Sequence, residues 1–153
     1  MKKNLKRKYF RYPFIIHGDP LKESTAYPTH THGLTSIGMP EFIMDPASFG
    51  AKGNGKRINS AYDFFKKQKN ATKLKAILNG ETIKLTGKQL SPKYMKNDPY
   101  VYCFREVRPE FEAVKISYFE EEITEEMRFI QIYVEGDDFA LTDEYYRGGV
   151  KRC

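Results

Sequence analysis

Residues 56–69 carry apolar side chains at Ile58, Ala61, Tyr62 and Phe65. Their spacing is i, i+3, i+4, i+7, which draws one stripe along a helix. Lys56, Lys66, Lys67 and Lys69 fall on the opposite face, three of them at the C-terminal end, where the helix dipole favours cations. Elsewhere the apolar residues come in short runs bounded by Gly, Pro, Asn and Asp. One such helix buries its stripe only against a sheet. The pattern therefore predicts a single α+β domain with a largely antiparallel or mixed sheet of about 5–7 strands, packed with one main helix at about residues 56–69. A chain of 153 residues is long enough to bury a core without disulfides or metal, and its 22 Tyr and Phe supply the filling.

The extended segments read as follows. YFRYPFII, residues 9–16, is a first strand, with Pro13 favouring a sheet edge. HGDPLKESTAYP is a loop, and THTHGLTSIG and PEFIMD are extended. KLKAILNGETIKLTG places Asn79-Gly80 between two candidate strands, where the pair supplies the positive φ angles of a tight hairpin. SPKYMKNDP is a turn-rich loop. PYVYCFREV and EFEAVKISYF are strands, EEEITEEM a short helical turn, and RFIQIYVEGDD a late strand ending at Gly136. No internal repeat or linker divides the chain.

The net charge of +6 equals the charge of Lys2, Lys3, Lys6, Arg7, Lys8 and Arg11 alone. Residues 1–11 are thus a basic tail, and 12–153 form the domain. Within the domain charge is polarised. Residues 50–75 hold eight Lys and Arg against Asp63, and residues 106–144 hold thirteen Asp and Glu against Arg108, Lys115 and Arg128. A basic head can hold RNA or an anionic surface through phosphate contacts, although a solubilising terminus has the same composition. No run of eighteen apolar residues exists, so no membrane partner is expected. The apolar run after the basic head is interrupted by His17 and Asp19 and is too weak for a signal peptide. Cys103 and Cys153 form no metal pattern and are expected as free thiols in a cytoplasmic protein.

FGAKGNGKRINSAYDFF, residues 49–65, raises the question of a phosphate site. Gly50, Gly55 and Lys56 match the G-x-x-x-x-G-K part of a nucleotide-binding loop, between an apolar strand and a helix. Arg57 stands where a hydroxyl should hold magnesium, and an arginine cannot ligate a cation. The second element of such sites, an apolar strand ending in Asp, is also poor, since Asp137 comes only after Glu135 and Gly136. The strand–helix alternation of a doubly wound fold is missing too. A nucleotide or phosphoester hydrolase using Gly50–Arg57 is therefore the alternative. A metal-free anion grip by Lys52, Lys56, Arg57 and a helix N-terminus is the milder reading.

His30 and His32 lie two apart, about 6.6 Å along a strand and on one face. They are the only candidates for a metal, with Glu41, Asp45 or His17 to complete the set. Glu41, nine residues after His32, is too distant for a cupin pattern. Histidines hydrogen-bonded in a sheet explain the pair without metal. Two-histidine phosphoesterase chemistry needs two H-x-[ST] motifs, and the sequence has three histidines in all. Ser36 lacks a glycine-flanked elbow, and the glutamates of EEEITEEM read as a solvated face. Aromatics in KYFRYPF and PYVYCF could stack on RNA bases, but there is no RNP-type motif.

Thr31, Gly33, Leu34, Gly38, Pro40 and Glu41, within THGLTSIGMPEFIM, resemble a bacterial family catalogued only as a domain of unknown function, number 4262. Gln131, Asp137 and Asp138 in RFIQIYVEGDDFALTDEYYRGG are similar to that family's closing segment. The resemblance covers about residues 25–149 and implies an α+β cytosolic domain with no established reaction. His30 and His32 depart from its pattern, and GAKGNGK looks like a local addition.

Together these features predict a cytoplasmic module, without assigned catalysis or cofactor, that binds a small anionic ligand or a protein. Its site is expected between THTHGL and GAKGNGKR, with His30, His32 and Glu41 as polar contacts and Lys52, Lys56 and Arg57 holding the anion. Nucleic acid bound by the basic N-terminus is the less favoured partner.

Overall fold

The computed structural model describes residues 12–17, 29–107 and 126–137. Among them are six strands, β1 (Ile15–His17), β2 (Thr29–His32), β3 (Glu41–Met44), β4 (Ile83–Thr86), β5 (Val101–Val107) and β6 (Phe129–Val134). They form one open sheet in the order β1-β2-β3-β6-β5-β4. Every pairing is antiparallel except β3 with β6, which run parallel at the centre. The expected α+β class and mixed sheet are therefore observed.

The helical layer consists of α1 (Pro46–Phe65), α2 (Ala71–Leu78) and the single turn α3 (Gly87–Leu90). The stripe seen in the sequence is the buried face of α1: Ile58 and Ala61 are fully buried, and Tyr62 and Phe65 nearly so. Phe65 lies between two strands, with its ring 6.2 Å from Phe42 of β3 and 5.3 Å from Phe104 of β5. Met44, Leu85, Tyr102, Ile130 and Ile132 join the same core. Burying each such large side chain contributes about 1.5–3 kcal/mol, so this contact fixes α1 against the sheet. On the other side of the sheet the central residues are buried too: Ile43, Gln131 and His30 are at most 1% exposed.

Two local expectations are corrected. KLKAIL is not a strand; its residues lie in α2, where Leu74, Ile77 and Leu78 at i, i+3, i+4 turn toward the core. Asn79-Gly80 accordingly ends a helix instead of closing a hairpin. Gly80 has φ +99° and donates to the Ile77 carbonyl at 3.0 Å, while Glu81 N reaches Ala76 O at 3.0 Å. Those bonds satisfy carbonyls left open at a helix C-terminus. The same positive φ serves either motif, and the helical spacing of the leucines decides between them.

The second correction concerns the start of α1. Pro46 occupies the first helical position, ten residues before the predicted start. A proline there costs no hydrogen bond, because that N–H has no intrahelical partner. Gly50 interrupts the helix with φ 71° and ψ 173°, and the chain then runs helically to Phe65. GAKGNGKR is thus not a loop: beyond Gly50 it is regular helix. EFEAVKISYF, most of EEEITEEM, most of HGDPLKESTAYP, the basic tail and Cys153 lie outside the described residues.

Candidate functional site

Glu41 is fully buried and takes four hydrogen bonds. Thr31 Oγ1 donates to its Oε1 at 2.6 Å and Leu34 N to the same oxygen at 3.3 Å. Thr35 N and Oγ1 donate to Oε2 at 2.7 and 2.6 Å. Thr31 Oγ1 in turn accepts from Phe42 N at 2.9 Å. The carboxylate therefore folds residues 31–35 back onto the start of β3. Its lone pairs are spent on the chain itself, which is what lets a charge sit inside the protein.

His30 and His32 part company. His30 is buried and paired across the strands with Ile43, which is in turn paired with Gln131, itself opposite Arg105. Arg105 Nε donates to Gln131 Oε1 at 2.8 Å, and Gln131 Nε2 is buried without a partner among the described residues. His32 is exposed at the end of β2. Among the described residues no group of three His, Cys, Asp or Glu is placed to hold a metal.

The three cations of the expected anion grip also diverge. Lys52 and Lys56 are exposed on α1. Arg57 points away from them, into the joint between α1 and β5. Its Nε donates to the Tyr102 hydroxyl at 2.9 Å, Nη1 to Gly53 O at 3.1 Å and Nη2 to Asp98 Oδ2 at 3.3 Å. Its guanidinium also stacks 3.5 Å above the Phe49 ring. Tyr102 completes the triangle by donating to Asp98 Oδ2 at 2.8 Å. Burial, reinforced by the hydrogen bond to Asp98, pushes the Tyr102 phenol well above its ordinary pKa. The network clamps α1 to β5 and leaves Arg57 committed to structure.

A cleft of about 240 Å³ opens elsewhere, beside that clamp. Its walls are Ser48 and Phe49 from the first turn of α1, Tyr100 just before β5, and Val134, Glu135, Gly136 and Asp137 at the end of β6. The topology explains the place. β3 and β6 run parallel, so their carboxyl ends come out side by side, β3 leading into α1 and β6 into the Gly136 turn. Crevices at the carboxyl ends of parallel strands are where open α/β sheets hold ligands. Glu135 N bonds Val101 O at 2.9 Å and Asp137 N bonds Val134 O at 2.9 Å, which fixes the acidic wall. Phe49 and Tyr100 meet edge to face, 5.5 Å between ring centres. The Ser48 hydroxyl is shielded from solvent and has no hydrogen-bond partner among the described residues. Glu135 pairs with Lys84 on β4.

The cleft residues escaped the sequence reading. One signal for them exists in Asp45-Pro46 after an apolar strand, which marks a helix start and would have put Ser48 and Phe49 at a strand–helix junction. Tyr100 carries no comparable signal; its place depends on pairing between distant strands.

No helix among the described residues is long and apolar enough to cross a membrane. The chain matches no family model, no curated protein and no solved structure.

Proposed function

We propose that the protein is a cytoplasmic small-ligand-binding module whose site is the cleft between α1 and the ends of β5 and β6. The observation that carries this reading is the cleft lining: two aromatic rings, a shielded Ser48 hydroxyl without a partner among the described residues, and two carboxylates around one opening. Its volume of about 240 Å³ lies just below the roughly 300–1,000 Å³ of common ligand pockets, which suits a small compound. The described walls hold no lysine or arginine, and although Glu135 is paired with Lys84 from β4, the two carboxylates favour hydrogen-bond donors over an anion. The ligand class is a small compound with hydroxyl or ammonium donors and an apolar ring or chain to lie on Tyr100. The buried thiol of Cys103 accords with a reducing compartment. The resemblance to the bacterial family fits an α+β cytosolic module and adds no reaction.

The test is a thermal-shift screen of polyols, sugars and small amines against the wild type and Tyr100→Ala. Tyr100 is 42% exposed, so its removal costs little stability. A ligand at 100 times its Kd stabilises by about 2.7 kcal/mol, roughly 5–10 °C in a domain of this size. The proposal expects such a shift from a polyol or an amine, and its loss in Tyr100→Ala. A flat screen, or a shift that Tyr100→Ala keeps in full, overturns it.

A further inference from the structure

The helical layer carries a charge pattern that neither the core nor the cleft uses. Lys52, Lys56, Lys67, Lys69, Lys73 and Lys75 are all exposed along α1, the following turn and α2. None of these six makes an ion pair among the described residues. Lys66, beside them, reaches Asp63 at 3.4 Å, and Asp63 is the one acid between residues 50 and 75. At about 100° and 1.5 Å per residue, Lys52 and Lys56 lie about 40° apart on one side of α1, and Lys66, just past its last residue, continues that side to about 21 Å from Lys52. Outside residues 1–11 the whole sequence is neutral, so this surface is a local excess.

We propose that this lysine face binds duplex nucleic acid through its phosphate backbone, independently of sequence. The residue types select that partner. The exposed large hydrophobic residues among those described are Ile15, Ile37, Tyr94 and Tyr100, and none lies on α1 or α2. Insertion into a lipid interface needs an apolar face beside the charges. Protein hot spots need buried aromatics or arginine, and single strands need aromatic platforms for stacking. Lysines on a helix surface supply compact point charges suited to phosphates, the contacts that position a protein on a duplex without carrying sequence information. A 21 Å stripe spans about six phosphates of one strand at 3.4 Å each.

The test is fluorescence anisotropy of the full chain with a labelled duplex of about 20 base pairs, titrated from 50 to 200 mM salt. Three variants accompany it: Lys52→Glu/Lys56→Glu/Lys67→Glu/Lys69→Glu, a deletion of residues 1–11, and Lys88→Glu as a charge control outside α1 and α2. At Lys52 and Lys56, on the exposed side of α1, glutamate matches lysine in helix propensity, and circular dichroism verifies that the fourfold variant is folded before binding is compared. The proposal expects affinity to fall steeply with salt in the wild type. It expects the fourfold variant to lose at least about tenfold in affinity and to flatten the slope by about 0.9 per phosphate contact removed. Lys88→Glu is expected to change little. Undiminished affinity in the fourfold variant, or binding that vanishes only with residues 1–11, overturns the proposal. So does lysine-dependent binding to phosphatidylserine vesicles without binding to the duplex.

Discussion

Replacing Glu41 by glutamine separates a structural carboxylate from a ligand contact. The wild-type oxygens accept from Thr31 Oγ1, Leu34 N, Thr35 N and Thr35 Oγ1. Glutamine offers one carbonyl oxygen and one NH₂ to the same four donors. The hydroxyls can rotate, but the two backbone N–H groups cannot. With the carbonyl facing Thr35, the NH₂ meets Leu34 N; turned over, it meets Thr35 N. Either way one buried backbone donor loses its acceptor, which costs about 1–3 kcal/mol. The bonds that survive lose their charge, and charge-assisted bonds are roughly twice as strong as neutral ones. The sum is about 3 kcal/mol. At roughly 2–4 °C per kcal/mol for a domain of this size, Tm falls by about 6–12 °C. Calorimetric melts of the wild type and Glu41→Gln measure it, with exposed Lys56→Ala as a control expected within about 0.5 kcal/mol. A fall below about 2 °C would refute the assignment of Glu41 to the fold and return it to the candidate ligand contacts.

Tyr102→Phe removes the hydroxyl that joins Arg57 to Asp98, at an expected cost of about 1–3 kcal/mol in urea unfolding. The same variant carries a pH signature. The folded phenol has a pKa above its unfolded value of about 10, so its contribution is intact below pH 10 and is lost as pH rises beyond it. The stability gap between wild type and Tyr102→Phe therefore narrows in alkali; a constant gap contradicts burial of the phenol. Gly50→Ala meets no atom within 4 Å, yet φ 71° with ψ 173° is a conformation only glycine adopts readily. A loss of about 1–3 kcal/mol in thermal melts is expected from the backbone alone, and an unchanged Tm contradicts the kink.

The legibility of the chain follows from where each signal resides. β5 and β6 were readable because VYCFREV and FIQIYV concentrate β-branched and aromatic residues in short runs. The stripe on α1 was readable because Ile58, Ala61, Tyr62 and Phe65 carry the period by themselves. GAKGNGK was misleading because its glycines disfavour helix by about 1 kcal/mol each; Gly50 does break the helix, and at Gly53 and Gly55 only tertiary contact reverses that preference. Asn54 shows the contact: fully buried, it donates to Thr29 Oγ1 at 3.1 Å and to Asp45 O at 2.9 Å. The parallel pairing of β3 with β6 was not readable at all, since their partners lie more than eighty residues apart. The cleft is a product of that pairing. For the same reason the expected grip by His30, His32, Glu41, Lys52, Lys56 and Arg57 reads as a unit in sequence and divides in space.

The most direct measurement is a backbone NMR titration with a fragment set of polyols and small amines, assigned residue by residue. The account predicts saturable shifts gathered on Ser48, Phe49, Tyr100 and Glu135–Asp137, with His32, Lys52 and Lys56 unmoved. Shifts centred on His32 and the exposed lysines of α1, or none at the cleft at any concentration, contradict it.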